Sequence, residues 1–224
     1  MNERHVLPAD IERTSMAIIQ GELTERGIQV PAGCEAVVQR VIHTTADFDY
    51  AKNLCFTPGA VDKGVEALGR GAVLVTDTNM ALAGISKPTL KKLGCSAYCY
   101  MADEDVARAA VQENTTRADA AMQKAAQLHP GAVFAVGNAP TALFRLEKLI
   151  EEGLRPALVI AVPVGFVNVV ESKERIFSAC EAAGVPVIAA MGRKGGSNVA
   201  AAVCNALLYT AANALDPAQR GWKG

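Results

Sequence analysis

A histidine and an arginine three residues apart carry the clearest chemical signal in this chain. His43 lies in PAGCEAVVQRVIHTTADFDY, from Pro31 to Tyr50, and is one of three histidines in 224 residues. His5 falls in a polar N-terminal tail that is expected to fray, and His129 in the turn LHPG that leads into a strand. His43 alone sits on a long regular segment, which reads as a helix. Pro31 suits its first turn, where a missing N–H costs nothing. Val37, Val38, Val41 and Ile42 form one apolar stripe at helical spacing. At about 100° per residue, Arg40 and His43 project together from the opposite face. A cation beside a titratable imidazole suits holding an anionic ligand and passing it a proton. A solvated helix face would show the same pattern.

Two further clusters could hold an anion. Arg13, Thr14 and Ser15 stand near the start of a helix that opens at Asp10, a good N-cap. Hydroxyls and an arginine at a helix N-terminus suit a carboxylate, although a capped surface helix looks the same. The second cluster is GRKGGSN, from Gly192 to Asn198. Its glycines let backbone approach a ligand, a helix follows, and Arg193, Lys194, Gly196 and Ser197 offer charge and donors. The spacing is neither GxGxxG nor GxxxxGK[ST], so nucleotide readings fail on the letters. A Gly-rich turn needed only by chain geometry stays open. Arg117, in NTTRAD, reads as mid-helix beside two mediocre helix formers. A local polar requirement or simple exposure would explain them. No HExxH, DxDxDG, Cys/His pairing or GxSxG occurs, so no metal or cofactor is expected. The residues favour acid–base chemistry by one histidine on an anionic substrate.

The elements that must position these groups read as α/β. Five apolar runs, AVLVT (72–76), CSAYCYM (95–101), AVFAVG (132–137), ALVIAV (157–162) and VPVIAAM (185–191), are separated by helical stretches. That pattern predicts a three-layer α/β/α domain over 1–224, with an open, mainly parallel sheet of about five strands and an N-terminal helical section. Thr57 is expected to cap the helix of Pro58, Asn138 the helix of Pro140, and residues 102–129 to form one alanine-rich helix. Ligands of open parallel sheets bind beyond the carboxyl ends of the strands. Those ends bring Asp77 and Asn138 onto the candidate list with the Gly192–Ser197 loop, and place His129 at the far edge.

The totals narrow the partners. Half the residues are hydrophobic and 20% are charged, which excludes global disorder. A net charge of −1 argues against a nucleic-acid or anionic-membrane surface, so arginines must gather wherever an anion binds. The longest apolar run, PALVIAVPVGFVNVV, is 15 residues and is broken by Pro163, Gly165 and Asn168, too short to span a bilayer. The polar N-terminus carries no signal-peptide pattern. Six cysteines without a CxxC read as free thiols of a cytoplasmic protein.

Several segments together resemble one family. They are ERTSMAII, RVIH around His43, TDTNMALAGI, NTTRADAAM, GNAPTALFRL, PVGFVNVVESKE and GRKGGSNVAAAVCNAL, and they run from about Ile11 to Leu208. The chain resembles the precorrin-8X methylmutases and cobalt-precorrin-8 methylmutases of corrin (cobalamin) biosynthesis. The resemblance implies an isomerase that shifts a methyl group from C-11 to C-12 of a tetrapyrrole macrocycle, a 1,5-sigmatropic step giving hydrogenobyrinate or cobyrinate without a cofactor. It implies that His43 is the proton donor or acceptor and that Thr14 and Arg40 contact substrate. Arg13 and Arg117 lie in matched motifs, where they would pair with the acetate and propionate arms. Where many relatives have serine after the arginine, this chain has Thr14, and the hydroxyl is kept. The family is typically homodimeric, with the site near the subunit interface. A corrinoid carrier without turnover would need the arginines but not His43.

Overall fold

A computed structural model describes residues 7–220, so His5 lies outside the described residues. Helices α1 (Pro8–Glu25) and α2 (Glu35–Thr45) lie side by side and lead through the short α3 (Tyr50–Asn53) into β1 (Leu54–Phe56). Then come α4 (Ala60–Gly69), β2 (Leu74–Thr76), α5 (Asn79–Gly84), α6 (Lys87–Leu93) and β3 (Ala97–Tyr98). The second half holds α7 (Glu104–Gln112), α8 (Arg117–Leu128), β4 (Val133–Val136), α9 (Pro140–Glu151), β5 (Leu158–Ala161), α10 (Val169–Ala183), β6 (Val187–Ala190) and α11 (Ser197–Ala211). A 3-10 turn at Pro217–Arg220 closes the described chain.

The strands form one sheet in the order β1-β6-β5-β4-β2-β3. Every pairing is parallel except β1 with β6, which is antiparallel with Leu54 opposite Ala190. Strand side chains alternate between faces, and the core divides accordingly. Leu74, Val133, Leu158, Ile160 and Ile188 face the layer built on α11, with α2 and α4 packed against it. Val75, Phe134, Val136, Val159 and Val187 face α7 to α10. The alanines of α11, Ala200 to Ala202 and Ala206, are buried and leave room for neighbouring helices to come close. This is the three-layer α/β fold with an N-terminal helical section that the sequence predicts.

The described residues form six strands where about five were expected. β1 is only three residues long and gives no alternation to read. Thr57 does not cap α4; Gly59 precedes that helix. The Thr57 hydroxyl instead accepts the Val187 N–H at 2.9 Å, stitching the end of β1 to β6. Pro31 also lies outside its helix, because α2 starts only after Cys34. α1 begins at Pro8, so Asp10 is in its first turn rather than at its cap, where the helix dipole still favours it. The alanine-rich stretch is two helices, not one. Asn114 turns the chain at φ 49°, and the Thr116 hydroxyl caps α8 by accepting the Asp119 N–H at 3.2 Å. Arg117 is therefore the first residue of a helix, not a middle one.

All six cysteines are free, and burial pushes the Cys180 and Cys204 thiols up to about 12, which leaves them unreactive. Among the described residues no helix is long and apolar enough to cross a membrane. The start of α11 comes close to the sheet at Gly137, just after β4. A Cβ there would stand 2.8 Å from Ser197 Cα and 2.9 Å from the Gly196 oxygen, both backbone atoms that cannot swing aside. Gly137→Ala is expected to cost about 1–3 kcal/mol of stability. Urea unfolding monitored by circular dichroism checks this, and an unchanged midpoint would show that the loop yields freely.

Candidate active site

His43 stands on the outer face of α2, in the last turn, while Val37, Val38, Val41 and Ile42 are buried on the inner face. It borders two open clefts. One, of about 520 Å³, runs between α1 and the end of α2 and is lined by Ser15, Ile18, Arg26 and Phe48. The other, of about 280 Å³, lies between α2 and α11 and is lined by Arg40, Asn198, Asn205 and Tyr209. The imidazole is thus reachable from either side of its helix.

The charge beside it is already organised. Arg40 pairs with Glu12 of α1 at 2.6 Å, and its side chain is only 12% exposed. Arg220 donates to both oxygens of the same carboxylate at 2.8 Å. Both guanidiniums lie over the Tyr209 ring, 3.9 Å from its centroid for Arg220 and 5.3 Å for Arg40. Two cations share one anion, so the cluster keeps a positive excess. Burial works to raise the Glu12 carboxyl, but the hydrogen bonds from Arg220 and the charge of Arg40 outweigh it and hold it below its ordinary value. His43 is shifted down from an ordinary imidazole. The cause is the protein mass of the cleft walls first, then the charge of Arg40, with Arg220 adding and Glu12 opposing. In the free protein at neutral pH the ring is therefore neutral.

The α1 trio separates, because consecutive helical residues cannot share a face. Ser15 borders the cleft of His43, with its hydroxyl donating to the Ile11 carbonyl at 2.8 Å. Thr14 is half-buried. Arg13 turns away and pairs with Asp10 at 3.0 Å and Asp216 at 2.9 Å. These residues sit in the second turn rather than at the helix N-terminus, so the anion site expected from the helix end is not there.

The carboxyl edge of the sheet gathers a second set. Asp77, expected to reach a ligand, has no exposed surface. Its two oxygens accept the N–H groups of Gly137, Asn138 and Ala139, each at 2.8 Å. Its work is to hold the turn after β4, and Ala139 rather than Asn138 is the cap of α9. Burial pushes this carboxyl up from its ordinary value, against the three N–H groups that favour the anion. The Ser197 hydroxyl meets Thr78 at 2.8 Å, and the Gly196 N–H donates to the Val162 oxygen at 2.9 Å. Both residues tie the start of α11 to strand ends. The Asn138 and Arg193 side chains are exposed, with the Arg193 guanidinium 5.5 Å above the Phe166 ring centroid.

Arg117 is not brought to His43. It lies in the opposite layer, exposed at the start of α8, where Thr116 and Thr141 share a hydrogen bond of 2.7 Å. That position is on the carboxyl side of the sheet but lines neither cleft. His129 sits at the other end, stacked on Tyr98 and 2.6 Å from the Tyr100 hydroxyl. Among the described residues no group of three or more His, Cys, Asp or Glu could hold a metal ion.

Glu12, Tyr209 and Arg220 were not found from the sequence. For Glu12 the letters offer only an acid in the helix before that of Arg40; that it is half-buried, and so requires the cation that Arg40 supplies, shows in the fold alone. Arg220 gave no signal, lying in what reads as a loose tail.

Two expectations follow from this geometry. In an NMR titration of the free protein, the His43 ring should titrate below ~6.5. Glu12→Gln removes the one neighbour that raises it, so the midpoint should fall further; a rise would mean that the network does not act on the ring. Asp77→Ala leaves the buried Gly137 N–H and the part-buried N–H groups of Asn138 and Ala139 without their acceptor and should cost about 1–3 kcal/mol in denaturant unfolding. Asp77→Asn, which keeps one oxygen, should cost less.

Comparison with known proteins bears on most of the chain. Residues 10–210 match the family model for precorrin-8X methylmutase (CbiC). The cobalt-precorrin-8 methylmutase of Leptospira interrogans is 43% identical over 207 residues, covering 90% of this chain and 93% of that protein. The Salmonella typhimurium protein of the same name is 44% identical over 206 residues, covering 90% and 95%. The crystal structure of a precorrin-8X methylmutase from Thermus thermophilus superposes with a TM-score of 0.80 at 38% identity, covering 91% of this chain and 98% of that one. Fold, length and sequence agree along the whole matched span, and the chain belongs to the precorrin-8X methylmutase family.

Proposed function

We propose that this isomerase moves a methyl group from C-11 to C-12 of a precorrin-8 macrocycle, and that His43 carries the proton that assists the migration. The observation that supports this reading is the place of His43. It stands at the junction of two open clefts, beside a cluster with excess positive charge, and burial and that charge shift its imidazole toward the neutral form.

A methyl shift within one molecule passes no electrons to or from the protein. The protein has to hold the macrocycle and manage a proton. A substrate with many carboxylates brings negative charge to a ring that is neutral beforehand, and that charge raises the imidazole pKa. Binding and proton uptake are then coupled, and the imidazolium can donate to the macrocycle during migration and recover the proton afterwards. Acid catalysis of this kind is worth ~10²–10⁴-fold. Arg40 contributes mainly by its field, because Glu12 already occupies its guanidinium. Arg193 and Arg117 are exposed cations at the carboxyl side of the sheet that suit carboxylate arms.

The substrate reading favours a cobalt-containing macrocycle, since the relatives from Leptospira interrogans and Salmonella typhimurium bear that name, whereas a Pseudomonas aeruginosa relative named precorrin-8X methylmutase is 38% identical. The working form is a homodimer in this reading. Ile11 and Ile18 of α1, with Leu7 just before it, are exposed apolar residues, Ile18 borders the cleft of His43, and a second copy would cover them.

The test follows the macrocycle spectrum with purified precursor. Wild type should convert it, while His43→Ala should bind product with little loss and turn over ~10²–10⁴ times more slowly. Equal conversion by both would move the proton chemistry to another residue.

A further inference from the structure

Lys173 is the only lysine without exposed surface among the described residues. It lies in the second turn of α10 and takes part in none of the ion pairs formed by described residues. An ammonium withdrawn from water without a carboxylate partner is costly. Burial accordingly lowers its pKa to about 8. Its partners are two backbone oxygens, those of Gly192 and Lys194, each at 2.8 Å. Neither the fold of α10 nor the chemistry at His43 explains why a lysine should be buried there.

The loop that it holds does. Residues 192–196 are folded tightly against the end of β5. A Cβ on Gly195 would lie 2.2 Å from the Val162 oxygen and 2.5 Å from the Pro163 oxygen, so only glycine fits. The Gly196 N–H donates to Val162 and the Gly165 N–H to Arg193. Lys194 is thus fixed through its own carbonyl and through both sides of the loop. Its side chain runs outward and donates to Asp47 and Asp49, at 2.6 Å each. Those two acids belong to the turn directly after the helix of His43, and that turn is itself ordered by the Asp49 N–H on Asp47 at 3.0 Å. An exposed ion pair orders little by itself. It can direct a helix end only if its backbone is held, and Lys173 holds it.

We propose that Lys173 is a positioning residue: it fixes the Gly192–Gly196 loop so that Lys194 clasps the Asp47–Asp49 turn and sets where His43 stands between its two clefts. The proposal rests on the reading that His43 carries the proton. It also assigns Lys194 to the protein rather than to a substrate carboxylate. A buried α10 residue thereby acts on an imidazole in the opposite helical layer, across the sheet edge.

Two variants and one control test it. Lys194→Met removes only the exposed clasp, so the melting temperature should stay close to wild type. Turnover at saturating substrate should fall between about ten- and a hundredfold, the scale of a small misplacement of a reacting group. In the free protein the His43 NMR midpoint should move toward its ordinary value as the cleft walls loosen. Lys194→Arg should restore both. Lys173→Met, similar in volume but unable to donate, should lose turnover to the same degree and melt earlier. Wild-type turnover per folded molecule in Lys194→Met and Lys173→Met, with His43→Ala inactive, overturns the positioning role and leaves the proton reading standing. Full activity in His43→Ala overturns both.

Discussion

The carboxylate of Glu12 is the constraint on which the environment of His43 depends. It comes from α1, receives Arg40 from α2 and Arg220 from the closing turn, and the two guanidiniums lie over Tyr209 of α11. Four segments, two from each end of the described chain, are thus gathered around one anion. Were the acid absent, two guanidiniums would face each other in a half-buried space, and each would repel the proton on His43 as well. The acid lets the protein keep a strong positive field beside the imidazole without forcing the helices apart. It also occupies Arg40, so that arginine acts on His43 through its field with its guanidinium already paired.

The carboxyl edge of the sheet follows a different economy. Asp77, Thr78, Gly196 and Ser197 look like ligand donors, yet they spend most of their hydrogen-bonding capacity on one another's loops. The result is a rigid rim that leaves the side chains of Asn138 and Arg193 outside. In the proposed reading such a rim suits a large polyanion. Carboxylate arms spread over a wide macrocycle, and a loop free to adapt to each would lose ordering entropy at every contact.

Much of the fold is legible in the residues because central parallel strands must be apolar on both faces. Val133–Val136, Leu158–Ala161 and Val187–Ala190 are fully buried, and no other reading suits them. β1 is not legible: three residues pairing antiparallel at an edge leave no period, and Thr57, which binds it to Val187, has the appearance of a helix cap. The break at Asn114 lies at three weak helix formers, Asn114 to Thr116, inside an otherwise alanine-rich stretch, and the positive φ and the Thr116 cap show it. At the site, His43 is legible because its helix has a clean apolar stripe on the other side. Asp77 misleads because a strand-end acid has the same letter whether it faces a ligand or three backbone N–H groups. Arg220 cannot be read at all, since its role arises from a contact 208 positions away.

That separation has a consequence for when the protein can work. Glu12 is made early and Arg220 late, and at typical synthesis rates roughly 10–40 s pass between them. During that interval α1 and α2 can pair and Arg40 can find Glu12, but the second cation is missing. The Arg40–Glu12 pair is then neutral overall, and the field that adds to burial in disfavouring a proton on His43 is weaker. A nascent chain with its sheet already complete thus carries an imidazole of different proton affinity from that of the finished protein, and the site matures only when the last described turn folds back over Tyr209.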